Sequence, residues 1–151
     1  MASAEDVYVE PSALAKLYLH EPESRAVVAW RGRLGGSLAV SLFGRLELVN
    51  AIGLAANRRL ISKTVHKAAL AALDDDFAQG RCVLVDPVWR AALRRVEEIS
   101  RERTAVSGCR SLDILHIASA LTLKRRYFLT FDLRQQKLAR ALGLKLVMPQ
   151  I

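Results

Sequence analysis

Aromatic residues are scarce in this chain: Phe, Trp and Tyr make up only 6% of its 151 residues. So few rings leave no stacking platform of the kind that grips single-stranded nucleic acid. Cysteine is scarcer still, with Cys82 and Cys109 alone and neither a CxxC pair nor a Cys/His group at zinc spacing. That excludes a disulfide framework and a structural zinc site, and both thiols read as reduced core residues. No uncharged run is long enough to span a bilayer, and MASAEDVYVE lacks the basic start and apolar stretch of a secretory signal. The expectation is a soluble, cytoplasmic protein with no membrane partner. Acids are outnumbered, 15 Asp and Glu against 23 Lys and Arg, for a formal charge of +8. Such a surplus favours a polyanionic partner, nucleic acid first.

What is present is aliphatic: 52% of the residues are hydrophobic, carried by Leu, Ala, Val and Ile. The length suits one domain, residues 1–151, with a core that needs no staples. Val7 to Glu10 reads as a short strand, stopped by Pro11 and Ser12, which open a helix to His20. A second helix runs from EPES through Trp30, and Gly35 and Gly36 turn the chain into a strand from Ser37 to Ser41 with Leu38 and Val40 inward. Helices follow over Phe43 to Arg59, where Leu46, Val49, Ile52 and Leu54 keep helical period, and over Lys63 to Ala78. Asp74, Asp75 and Asp76 end that helix and read as a solvated face, because consecutive helical acids point in different directions. Cys82 to Val85 is a third strand, Pro87 opens a helix to about Arg103, and a loop from Thr104 to Arg110 follows. CRSLDILHIASALTLK from Cys109 to Lys124 is a central helix with Ser111 as N-cap. YFLT is a fourth strand, Arg134 to Leu142 a helix closed by Gly143, and LKLVM a last strand. This alternation predicts an α/β fold: a mainly parallel sheet of about five strands between two helical layers, with ligands at the carboxyl ends of the strands.

Four acids stand apart by position. Glu10 and Asp132 follow strands, Glu47 lies within an amphipathic helix, and Asp113 opens the most apolar helix. Each has a structural reading as well: a helix cap for Glu10 or Asp132, an ion pair for Glu47, a charge at the positive helix end for Asp113. If the four converge, their repulsion calls for a cation, and hard oxygen ligands select Mg²⁺ or Mn²⁺. Such an ion serves phosphodiester hydrolysis. His116 shares a helix face with Asp113 and reads first as a core histidine, with a hydrogen-bonding role in the site as the alternative. Arg45 and Arg110 flank two of the acids and are the candidates for phosphate contact. An aspartyl-phosphate mechanism needs a DxD pair after the first strand, and VEPSA lacks it.

Four blocks, VYVEPSALAKLYLHEPES, SLFGRLELVNAI, RSLDILHIASAL and FLTFDLRQQKLARALGL, resemble in order and spacing the PIN-domain ribonucleases of the VapC toxin type, over essentially the whole chain. The resemblance implies an α/β/α sandwich and a Mg²⁺- or Mn²⁺-dependent endoribonuclease, the toxin of a type II toxin/antitoxin pair. It also implies a small antitoxin protein as partner and a homodimer. Carried over by position, Glu10, Glu47, Asp113 and Asp132 become the catalytic and metal-binding acids, supported by the polar residues Ser12 and Thr130. One departure stands out: the family pattern has Asp followed by Thr or Ser where this chain has Glu10 and Pro11. Mg²⁺ holds its oxygens near about 2.1 Å, so an extra methylene bears on the fit. The alternative implied by that departure is a catalytically weak or inactive module that binds RNA or protein.

Overall fold

The computed structural model describes residues 3–150. Five short strands, β1 (Val7–Val9), β2 (Leu38–Val40), β3 (Cys82–Leu84), β4 (Tyr127–Leu129) and β5 (Lys145–Leu146), alternate with helices. The helices are α1 (Pro11–Leu14, continuing as a 3₁₀ turn over Ala15–Leu17), α2 (Ser24–Arg33), α3 (Leu42–Asn57), α4 (Lys63–Ala78), α5 (Trp89–Ser107), α6 (Ser111–Thr122) and α7 (Leu133–Ala141). Every strand pairing is parallel.

The five strands form two ladders, β1-β4-β5 and β2-β3, so the expected sheet of about five strands is corrected to a three-stranded sheet with a separate pair beside it. β2 packs against β1, and the Ala4 N–H donates to the Gly35 carbonyl at 3.0 Å where the two ladders begin. Strands of two or three residues make ladders of very few bonds, so neighbours that touch need not pair. The spatial order is β3-β2-β1-β4-β5. Chain order reverses between β1 and β4, and in an open parallel sheet the crevice outside the carboxyl ends at such a reversal is where ligands bind.

Alternating side chains divide the core into two. Val7, Val9 and Leu129 point to one face, against Leu14, Leu48, Ile52, Ala69 and Leu73 from α1, α3 and α4. Tyr8 and Phe128 point to the other, against Ile99, Ile114, Ile117, Ala118 and Leu138 from α5, α6 and α7. This is the period of two that a strand imposes, and a central parallel strand covered on both sides is buried at every residue, as β1 is. The result is the three-layer α/β/α arrangement that the alternation predicts.

Several boundaries differ from expectation. In α3 the buried stripe is Leu48, Ile52 and Ala55, while Leu46, Val49 and Leu54 face outward. The expected loop from Thr104 is helix as far as Ser107, and the turn is made by Gly108 at φ 66°, whose N–H closes the last turn on the Thr104 carbonyl. Ser111 is the first helical residue of α6, and Arg110 takes the cap position. Asp74–Asp76 do more than meet solvent: Asp75 and Asp76 hold Arg81 at 2.5 and 2.6 Å, and Asp76 accepts from the Tyr18 hydroxyl at 2.6 Å. Cys82 and Cys109 are free and buried, as expected.

Candidate active site

Glu10 leaves β1 in extended conformation and is the N-cap of α1. Its N–H donates to the Leu129 carbonyl of β4 at 3.0 Å, so the residue is pinned beside the carboxyl end of the neighbouring strand. Pro11 occupies the first helical position, where an N–H has no intrahelical partner to lose. The polar contacts at this turn come from Ser12, whose N–H (3.1 Å) and hydroxyl both donate to Glu10 Oε2. Burial pushes the Glu10 carboxyl up from its ordinary range, Ser12 and His116 oppose the rise, and Glu47 adds to it. Glu10, Glu47 and His116 therefore share one neighbourhood.

Ser41 caps α3 by accepting from the Gly44 N–H at 2.9 Å, and one and a half turns later the helix presents Glu47 to α6. Glu47 Oε1 is hydrogen-bonded to His116 Nε2. The other ring nitrogen, Nδ1, lies 2.7 Å from the Tyr8 hydroxyl. His116 is only 2% exposed, stacked on Phe43 at 5.5 Å between ring centroids, and Tyr8 is in turn stacked on Phe128 at 5.6 Å. The histidine is thus a core residue that also bonds one of the candidate acids. The Tyr8 contact was not legible in the sequence, because a tyrosine inside an apolar strand reads as core.

Asp113 sits in the first turn of α6, half-buried, with Oδ2 accepting from the Arg110 N–H at 3.0 Å. Asp132 caps α7: Oδ1 accepts from the N–H groups of Arg134 (2.8 Å) and Gln135 (3.1 Å), and Oδ2 from the Arg134 guanidinium (3.3 Å). Desolvation would raise its carboxyl, but the bonds from Gln135 and Arg134 outweigh it and hold the group below its ordinary range. Asp113 and Asp132 both act on Arg134 and on the Cys109 thiol, which burial pushes up. Buried Thr130 ties this half together, donating to Gln135 Oε1 at 2.6 Å and accepting from the Asp132 N–H at 3.2 Å. Gln135 Nε2 then donates to the Asp113 carbonyl at 3.1 Å.

The acids therefore lie at one edge of the sheet in two halves, Glu10 with Glu47 and Asp113 with Asp132. Among the described residues no group of three or more His, Cys, Asp and Glu side chains is gathered closely enough to hold a metal ion. The donor chemistry nonetheless fits a hard cation at three of the four acids, since Glu10, Glu47 and Asp113 each commit one carboxylate oxygen to the hydrogen bonds above. Asp132 has both oxygens engaged.

The two arginines part company. Arg45 pairs with Asp74 at 3.1 Å and lies over the Phe77 ring at 4.3 Å, docking α3 on α4. Arg110 is exposed beside Asp113. Arg134 is the cation that sequence reasoning overlooked. With Lys137 and Arg103 it lines a cleft of about 450 Å³ adjoining Asp132. None of the four acids lines the cleft of about 570 Å³ between Lys16 and Ala29.

The family model for the PIN domain matches residues 7–141. No curated protein matches the chain.

Proposed function

This chain belongs to the PIN domain family, and from that premise we propose that it is a divalent-metal-dependent endoribonuclease whose acids are Glu10, Glu47, Asp113 and Asp132. PIN domains are generally nucleases, and those nucleases generally use divalent metal ions. The observation that carries the assignment to these residues is topological. Glu10 and Asp132 follow β1 and β4, the two neighbours between which the strand order reverses, and α3 and α6 bring Glu47 and His116 to the same edge.

Glu10, Glu47 and Asp113 would hold the ion, either Mg²⁺ or Mn²⁺, through their uncommitted oxygens. When bound, the ion would supply Lewis acidity for phosphodiester hydrolysis. The chain's own contribution is to aim and to bind. Ser12 restrains the Glu10 carboxylate, His116 restrains Glu47, and the α6 cap restrains Asp113. Arg110 and the Arg134 cleft offer cations to the flanking phosphates of an RNA strand, in keeping with the charge of +8.

The finer reading is a VapC-type toxin, acting in the cytoplasm and blocked by a small antitoxin protein seated at the acidic edge. A homodimer belongs to the same reading. Leu42, Leu46 and Val49 form an exposed stripe at helical spacing on α3, which suits burial against a second copy. A second reading, an RNA- or protein-binding module with little or no cleavage, is favoured by the division of the acids into two halves and by the full engagement of Asp132.

Cleavage of a structured RNA pool, followed while Mg²⁺ or Mn²⁺ is titrated into wild type and Asp113→Asn, separates the two. The nuclease reading expects metal-dependent cleavage by wild type and its loss in the variant. A folded wild type that binds RNA but cuts at no metal concentration leaves the binding module in front, and recovery on Glu10→Asp would place the fault at the first strand.

A further inference from the structure

We propose that Tyr8 and His116 are positioning residues which, as a fixed two-bond relay from the core of the sheet, hold Glu47 as a ligand aimed at the cation. The inference rests on the nuclease reading and adds to it the means by which one acid is oriented. Three elements contribute: Tyr8 from β1, His116 from α6 and Glu47 from α3.

A neutral imidazole has one N–H and one bare nitrogen, so what binds one side decides what the other can do. The Tyr8 hydroxyl, 2.7 Å from Nδ1, and the Glu47 carboxylate at Nε2 are the two partners of the ring. A carboxylate only accepts, so a bare Nδ1 is left toward the Tyr8 O–H and the ring proton sits on Nε2. There it points at Glu47 Oε1. The opposite tautomer would face a bare Nε2 against a carboxylate, lone pair to lone pair.

The ring itself cannot turn to escape, being 2% exposed and stacked on Phe43, with Tyr8 held on Phe128. A histidine that served only the core could satisfy Nε2 with a backbone carbonyl. This one spends it on the oxygen of a partly exposed glutamate, 29% accessible, leaving Oε2 uncommitted at the sheet edge. A ligand oriented by a hydrogen bond from an outer group binds metal more tightly, and losing such a group costs about 10–100-fold in affinity.

The test uses the full chain and two readouts. Long-range ¹H–¹⁵N spectra of the metal-free protein report the tautomer of His116, assigned against His20 and His66 by substitution. Mn²⁺ binding is measured by calorimetry. Wild type is expected to carry the proton on Nε2. Tyr8→Phe keeps the ring on Phe128 and the proton on Nε2, but frees the imidazole from its anchor at Nδ1 and weakens Mn²⁺ about 10-fold while KM for RNA stays unchanged. His116→Gln, whose amide still donates toward Glu47, retains more Mn²⁺ affinity than His116→Leu. Wild type with the proton on Nδ1, or Tyr8→Phe with unchanged Mn²⁺ affinity, overturns the positioning role and leaves the nuclease reading standing. Wild type that binds no Mn²⁺ overturns both, a result distinct from the other two.

Discussion

Glu10 is where this chain departs from the pattern it otherwise resembles, and its surroundings explain how the departure is tolerated. The proline that follows would be costly inside a helix, yet at the first helical position it gives up an N–H that had no partner there. Ser12 supplies the donors at the turn, and the longer carboxylate folds back onto them. Burial still disfavours its charge. An acid whose folded value lies above its unfolded one keeps its proton longer in the native state, so stability falls as pH rises from about the unfolded value of 4.5. Glu10→Gln is therefore expected to be more stable than wild type at neutral pH in metal-free buffer, with the advantage vanishing well below that value. Urea midpoints measured across pH check this, and a variant equally or less stable at pH 7 refutes it.

Helix ends decide how the other acids are used. Asp132 is read from sequence as either a ligand or a cap, and the structure engages both of its oxygens at the start of α7. The two roles separate by substitution. Asp132→Ser retains an N-cap acceptor and should keep stability within roughly 0.5 kcal/mol of wild type, while Asp132→Ala loses about 1 kcal/mol. If Asp132 also contributes to cleavage, both variants lose activity alike. If capping is its whole function, Asp132→Ser cleaves RNA as wild type does. Asp113 is bound less completely, through one oxygen and the Arg110 N–H, because the cap of α6 falls one residue earlier than the serine suggests. Ser111 offered a good hydroxyl, but Gly108 had already turned the chain, leaving only Cys109 and Arg110 before the next helix.

At the scale of the whole molecule, the strand order β3-β2-β1-β4-β5 brings residue 10 beside residues 129–132 and α3 against α1. The same arrangement leaves the α3 stripe uncovered, with Leu42 and Leu46 55% and 54% exposed. Leu46→Glu is expected to convert a dimer to monomer in sedimentation velocity without lowering the melting temperature of the monomer, since the residue contributes nothing to the core. A wild type that already sediments as a monomer at micromolar concentration removes the dimer from the reading. By itself the amino-acid sequence determined the alternation of strands and helices, the sheet between two helical layers and the places of the four acids along the chain, because periodicity and caps are local and are written in neighbouring residues. Tertiary structure alone decided which groups meet. Arg45 turned to Asp74, Gln135 reached the Asp113 carbonyl, and Tyr8 reached His116 across 108 residues. Those contacts depend on how helices pack over the sheet, a property of distant residues together that no local pattern carries.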